Sequence, residues 1–225
     1  DVYVCEDAWG THADVVDAAR RATRWVHPVT AEVSAALSRD SQGVCAVASA
    51  DAVSRELPEP SVGETLVVLA QGRDPGNVGT IIRTADAFGA VGVITVSGTV
   101  EATSPKVVRA SAGSVFHIPV CVVSSFEEAH ALIHRRSAAL LGTSGGVGSL
   151  DLSQMLVQGV SGRSRLSQSH AWVFGNEAKG LSGAEMRLCD ALVSIPMTGD
   201  AESLNVASAA TACLFASQTV RGMTL

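Results

Sequence analysis

From residue 64 onward the chain alternates short unbroken apolar runs with stretches whose apolar residues recur every three or four positions. TLVVLAQG, VGVITVSG, HIPVCVV, AALLGTS, HAWVFG and ALVSIPM are runs of the first kind. They are short and mostly β-branched or leucine-rich, which predicts strands covered on both faces. NVGTIIRTADAFGA, SPKVVRASAG, SFEEAHALIHRR, SGAEMRLC and ESLNVASAATACLFASQTV have the helical period. Gly89 supplies a stop for the first of these helices, and Ser104 with Pro105 a start for the second. Strands alternating with helices predict an open parallel α/β sheet. The stretch 145–169 shows no period of either kind and reads as a Gly/Ser-rich loop.

The first 56 residues read as a smaller α/β unit. VYVCED is strand-like, THADVVDAARRATRWV has helical periodicity, and GVCAVASA suits a buried strand. Two prolines and a glycine in LPEPSVGE mark a linker over 57–63, so the division is 1–56, 57–63 and 64–225. The chain opens on Asp1 directly in a strand-like run, and it reads as lacking its true start.

Composition narrows the class. Hydrophobic residues are 47% and charged ones 17%, enough for a core and without the bias of disordered chains. No apolar run reaches the roughly 20 residues of a membrane span, and no signal-peptide pattern opens the chain. Five scattered cysteines without a C-x-x-C pair predict reduced thiols and a cytoplasmic protein. His130 and His134 lie four apart on one helix face, but further ligands and the H-E-x-x-H pattern are missing, so no metal is expected. The net charge of −6 weighs against nucleic acid as a partner. Local basic clusters weigh the other way: Arg20, Arg21 and Arg24; Lys106 and Arg109; Arg163 and Arg165. Two of the three are expected to meet RNA.

The candidate chemistry lies in turns that follow strands, where open parallel sheets bind ligands. These turns are Gly72 to Gly79, Thr143 to Gly146, Gly175 to Glu177 and Ile195 to Met197. Glycines at 145 and 175 would let backbone approach a ligand closely. No G-x-G-x-x-G follows a strand, no P-loop is present, and no G-x-S-x-G appears, which argues against a dinucleotide enzyme and a serine hydrolase.

QGRDPGNVGTIIRTADAFGA (71–90), FGNEAKGLS (174–182) and IPMTGDAESLNVASAATACLF (195–215), in that order, resemble the SpoU (TrmH-type) family of RNA ribose 2′-O-methyltransferases. The resemblance covers roughly residues 64–220. It implies a sheet whose C-terminal segment threads a trefoil knot, S-adenosylmethionine bound in that knot, no metal, and a homodimer with the active site completed across its interface. It assigns catalysis to Arg83, Asn77, Glu177, Ser203 and Asn205. Cofactor contacts fall on Gly175, Asn176, Ile195, Met197 and Leu204, and more loosely on Thr143 and Gly145. Arg83, placed within the first two turns of its helix, would engage the target phosphate and the developing oxyanion. Residues 1–56 resemble the family's ribosomal-protein-like RNA-binding domain, here incomplete. Large-subunit 23S rRNA is the expected substrate and tRNA the rival. A catalytically silent RNA-binding factor of the same fold is the other reading. The stripe Leu204, Val206, Ala207, Ala210 and Leu214 on the last helix is expected to enter the dimer interface.

Overall fold

The computed structural model describes residues 1–159 and 161–224 and divides into two compact units, Asp1–Ala52 and Val53–Leu225. In the first unit β1 (Val2–Cys5) is followed by α1 (Ala8–Thr11), α2 (Ala13–Ala22), β2 (Val26–Val29), α3 (Ala31–Leu37) and β3 (Val44–Ala46). The strands form a sheet of order β2-β1-β3, parallel between β1 and β2 and antiparallel between β1 and β3. Val4, Cys5, Ala8 and Val16 are its core. The helix expected through Val26 stops at Ala22, and Thr23 is already extended. Thr23, Trp25 and Val26 favour strand, and Pro28 bars a helix while being tolerated on an edge strand, which β2 is. The helix α3, capped by Thr30, was not anticipated.

The second unit runs β4 (Thr65–Leu69), α4 (Pro75–Ala87), β5 (Gly92–Val96), α5 (Pro105–Ala110), β6 (Val120–Val123), α6 (Phe126–Arg135), β7 (Ala139–Thr143), β8 (Leu150–Asp151), α7 (Leu152–Gly159), β9 (His170–Phe174), α8 (Gly183–Leu188), β10 (Ala191–Ser194) and α9 (Val206–Thr224). Its seven strands form a parallel sheet of order β6-β5-β4-β9-β7-β10-β8. All six expected strands of this unit are present. The stretch 145–169 is not wholly loop: it contains β8 and α7. Asp151 starts α7 by accepting from Ser153 N at 2.7 Å and Gln154 N at 3.1 Å, and Leu152 and Met155 enter the core. Flanking glycines and serines hid this short amphipathic helix.

Both faces of the sheet are covered, as continuous apolar strands require. Val67 and Leu69 of β4 join Trp172 and Phe174 of β9 under α4, α5, α7 and α9. Leu66, Val68, Ala171 and Val173, one residue out of phase, pack on the other face with Phe126, Ala129 and Ile133 of α6 and with Met186 and Leu188 of α8. The stripe on α9 is used here: Ala207, Ala210 and Leu214 are buried in this core, so they do not form an exposed interface as expected.

Two buried polar groups lock the layers. His170 donates its Nδ1 proton to Gln168 O at 2.7 Å, which leaves Nε2 to accept from Ser217 Oγ at 2.8 Å. Trp172 Nε1 donates to the same Ser217 Oγ at 2.8 Å, so β9 is pinned to α9. At the amino ends of the strands, Arg136 meets Glu64 in a bidentate pair at 2.7 and 2.8 Å and also donates to Pro58 O at 2.8 Å. Ser61 N donates to the same carboxylate. The proline-containing stretch 57–63 is thereby held to the amino ends of the strands within the second unit.

A candidate active site at the carboxyl ends of four neighbouring strands

Four of the expected loops leave strands that stand side by side, β4, β9, β7 and β10. Leu69 is opposite Phe174, Val173 opposite Gly142, and Thr143 opposite Val193, so the strands end at nearly the same level. Periodicity supplied the strands and their turns. The order that makes the loops adjacent came only with the sheet.

The loop after β4 opens α4. Asp74 is the N-cap, its Oδ1 accepting from Asn77 N at 2.8 Å, and Pro75 takes the first helical position. A Cβ at Gly76 would lie 3.0 Å from Asp74 Oδ1, so glycine lets the carboxylate fold over the helix start. Because the helix begins at Pro75, Arg83 falls at the start of the third turn rather than within the first two, and its side chain is exposed. A Cβ at Gly79 would meet Ala110 Cβ at 2.5 Å and Val107 O at 2.6 Å, so this glycine serves the close packing of α4 on α5.

Glu177, from the loop after β9, crosses to this helix start. Its Oε1 accepts from Arg73 N at 3.2 Å and from Asp74 N at 3.1 Å, satisfying two backbone donors at the entry to α4. Asn176 is turned back on its own loop, its Oδ1 accepting from Ala178 N at 3.0 Å and Lys179 N at 3.2 Å. Its backbone exchanges both hydrogen bonds with Gly180. A Cβ at Gly175 would run into the backbone of Gly180 and Leu181. That glycine is therefore demanded by the turn itself, contrary to the expectation that its openness serves a ligand. At Gly145 a Cβ would meet nothing within 4 Å, which leaves this loop open.

Asn205 joins the last block to the first. It is the residue before α9, its Oδ1 accepting from Ala207 N at 2.8 Å, and its Nδ2 donates to Asn77 Oδ1 at 3.0 Å. Asn77 and Asn205 thus meet as paired side chains although 128 residues separate them. Thr143 Oγ1 donates to Val173 O at 2.9 Å, which commits its hydroxyl to the sheet. Ile195 packs partly on the core, while Met197 and Leu204 are each 43% exposed at the ends of the segment between β10 and α9, with Ser203 exposed beside Leu204.

Sequence reasoning missed Asp74, although Asp-Pro between a strand and a helix is itself a cap signal. It also missed Arg221 of α9, which donates to Phe88 O at 2.9 Å and Gly89 O at 3.4 Å at the far end of α4. No local pattern marks that contact. Among the described residues no group of His, Cys, Asp and Glu is placed to hold a metal ion. Nor is any helix among the described residues long and apolar enough to cross a membrane.

Comparison with known proteins gives these blocks a family. The SpoU rRNA Methylase family profile matches residues 64–215. A 23S rRNA (uridine(2479)-2′-O)-methyltransferase of Streptomyces viridochromogenes is 42% identical over 146 residues, 63% of this chain and 47% of that protein. A 23S rRNA (guanosine-2′-O-)-methyltransferase of Bordetella pertussis is 34% identical over 208 residues, 90% of this chain and 81% of that one. The chain thus spans about half the length of the first relative and about four fifths of the second. The SpoU methyltransferase AviRb from S. viridochromogenes, solved in complex with AdoMet, superimposes with a TM-score of 0.73 at 29% identity over 98% of this chain and 81% of that one. An AdoMet-bound rRNA methyltransferase from Sinorhizobium meliloti does so with a TM-score of 0.71 at 32% identity, over 96% and 78%. With the profile running from Glu64, ahead of β4, into α9, the chain belongs to the SpoU rRNA methylase family.

Proposed function

We propose that this chain transfers the methyl group of S-adenosylmethionine to a ribose 2′-oxygen in structured RNA, with 23S rRNA favoured over tRNA. The carrying observation is the convergence of Glu177 and Asn205, from two separate blocks, on the N-terminal entry of the helix that bears Arg83. S-adenosylmethionine supplies an electrophilic methyl group on a sulfonium. The fit of the site to it rests on the open backbone at Gly145, the exposed apolar Met197 and Leu204, and the loops at Thr143, Gly175, Asn176 and Ile195.

The chain's own residues hold and polarise the acceptor. A guanidinium is nearly always protonated, so the role of Arg83 is to engage a phosphate beside the target ribose and to stabilise the charge that develops on the 2′-oxygen as the hydroxyl proton is lost to water, the methyl group is taken up and S-adenosylhomocysteine leaves. Glu177 fixes the entry of α4, and Asn77, Ser203 and Asn205 orient the RNA around it. Calorimetry with S-adenosylhomocysteine in the presence of a chelator should show binding. Binding of a dinucleotide with no response to this product would refute the reading.

The same reading extends to features beyond the site. A trefoil knot is supported by β10 lying between β7 and β8, whose connection at 144–149 the last strand has to pass. A homodimer is supported by the outer side of α9, where Phe215 is 53% and Met223 57% exposed and Phe215 meets Phe88 edge to face at 6.0 Å. Phe215→Asp should therefore yield monomers in light scattering, and an unchanged oligomer would remove this helix from the interface. Residues 1–56 are assigned to RNA binding, and the protein to the cytoplasm, where its substrate is made.

A further inference from the structure

The direction in which an amide side chain points follows from its partners. Ala207 N and Ser208 N donate to one atom of Asn205 at 2.8 and 3.4 Å. Backbone N–H groups only donate, so that atom is oxygen, and the Nδ2 of Asn205 is turned to Asn77. Nδ2 only donates as well, so the atom it meets at 3.0 Å is Asn77 Oδ1. The Nδ2 of Asn77 is thereby turned away from Asn205. Asn77 cannot reverse this by rotating its amide, because two Nδ2 groups would then face each other. The backbone of Asn77 is held too, by Asp74 Oδ1 at 2.8 Å.

Helix capping does not explain this choice of residue. Asp or Ser would cap α9 about as well as Asn. What Asn adds at position 205 is a donor on one side and an acceptor on the other, and so a link of defined polarity between α9 and α4. We infer that Asn205 is a positioning residue that sets the polarity of Asn77, so that Asn77 Nδ2 donates to an anionic phosphodiester oxygen of the RNA. The inference rests on the RNA methyltransferase reading above. Phosphodiester oxygens only accept, so the observed orientation attracts them and the reversed one repels them.

Two substitutions separate polarity from capping. In Asn205→Asp the carboxylate still caps α9, but its second oxygen requires Asn77 to turn its Nδ2 inward and its Oδ1 outward. In Asn205→Ser the cap is kept, the shorter side chain no longer reaches Asn77, and the amide is released without being reversed. Both full-length variants should keep the thermal midpoint and the S-adenosylhomocysteine affinity of the parent. For a 23S rRNA transcript, Asn205→Asp should lower kcat/KM by about 10²-fold, on the scale of losing one oriented donor. Asn205→Ser should lie between it and the parent. Parent-like kcat/KM in both variants would overturn the proposal and leave Asn205 a cap. A parent enzyme that methylates no RNA would instead overturn the functional reading on which the proposal stands.

Discussion

Arg83 and the two glycines of the loops proposed to hold the cofactor carry the most direct tests at the scale of single residues. Arg83→Ala should reduce RNA methylation by at least about 10²–10³-fold. Cofactor affinity should change little, because Arg83 lies on α4 and the loops proposed to hold the cofactor follow other strands. Arg83→Lys should also be poor, since an ammonium lacks the planar fork. A variant with parent turnover would take Arg83 out of the mechanism. For the glycines, the Cβ added in Gly145→Val meets nothing within 4 Å, so this variant should leave the thermal midpoint nearly unchanged while weakening cofactor binding in calorimetry. Unweakened binding would move the cofactor away from this loop. Gly175→Val, by contrast, should destabilise the loop that carries Glu177, because its side chain would meet backbone of Gly180 and Leu181. The special residues were legible in sequence because isolated polar side chains beside glycines are costly in a core. Their individual reasons were not: Gly145 and Gly175 look alike in sequence, and only the approach of Gly180 distinguishes them.

Among the elements, α4 and α9 behave as one device. Asn205 of the α9 cap holds the start of α4, and Arg221, near the other end of α9, donates to the carbonyls of Phe88 and Gly89, just past the end of α4. Arg83 lies between these two grips. Arg221 is half-buried and its guanidinium serves orphan carbonyls, so Arg221→Ala should cost about 1–2 kcal/mol of stability in urea unfolding. No change would mean that the contact at the far end of α4 contributes nothing. The sequence announced both helices by their apolar periodicity, although the Asp74 start of α4 did not enter that reading. It did not announce their pairing, which depends on contacts more than a hundred residues apart. The stripe on α9 could equally have served a partner, and the burial of Ala210 and Leu214 decides for the core. The short elements β2, β8 and α7 escaped notice because neighbouring Pro, Gly and Ser residues outweigh a few periodic positions.

For the whole molecule, strand count and parallel sense were readable, whereas the order β4-β9-β7-β10 that assembles the site was not, since nothing local states which strand lies beside which. The buried His170 gives the fold a pH signature. Burial lowers its pKa from 6.5 to about 4. The folded chain therefore takes up this proton later than the unfolded chain, and the associated stability is complete above pH 6.5 and falls away as the pH drops toward 4. The loss amounts to roughly 3 kcal/mol by the lower end. Urea midpoints at pH 7 and pH 4.5 should differ less for His170→Gln than for the parent, and an identical difference would exclude this histidine as the source. The central claim, ribose methylation of RNA, is tested most directly by incubating the protein with methyl-labelled S-adenosylmethionine and total bacterial RNA, then mapping the modified nucleotide. The account predicts label in 23S rRNA at one ribose 2′-oxygen. Label on a base, or none in any RNA from a protein that binds the cofactor, would contradict it.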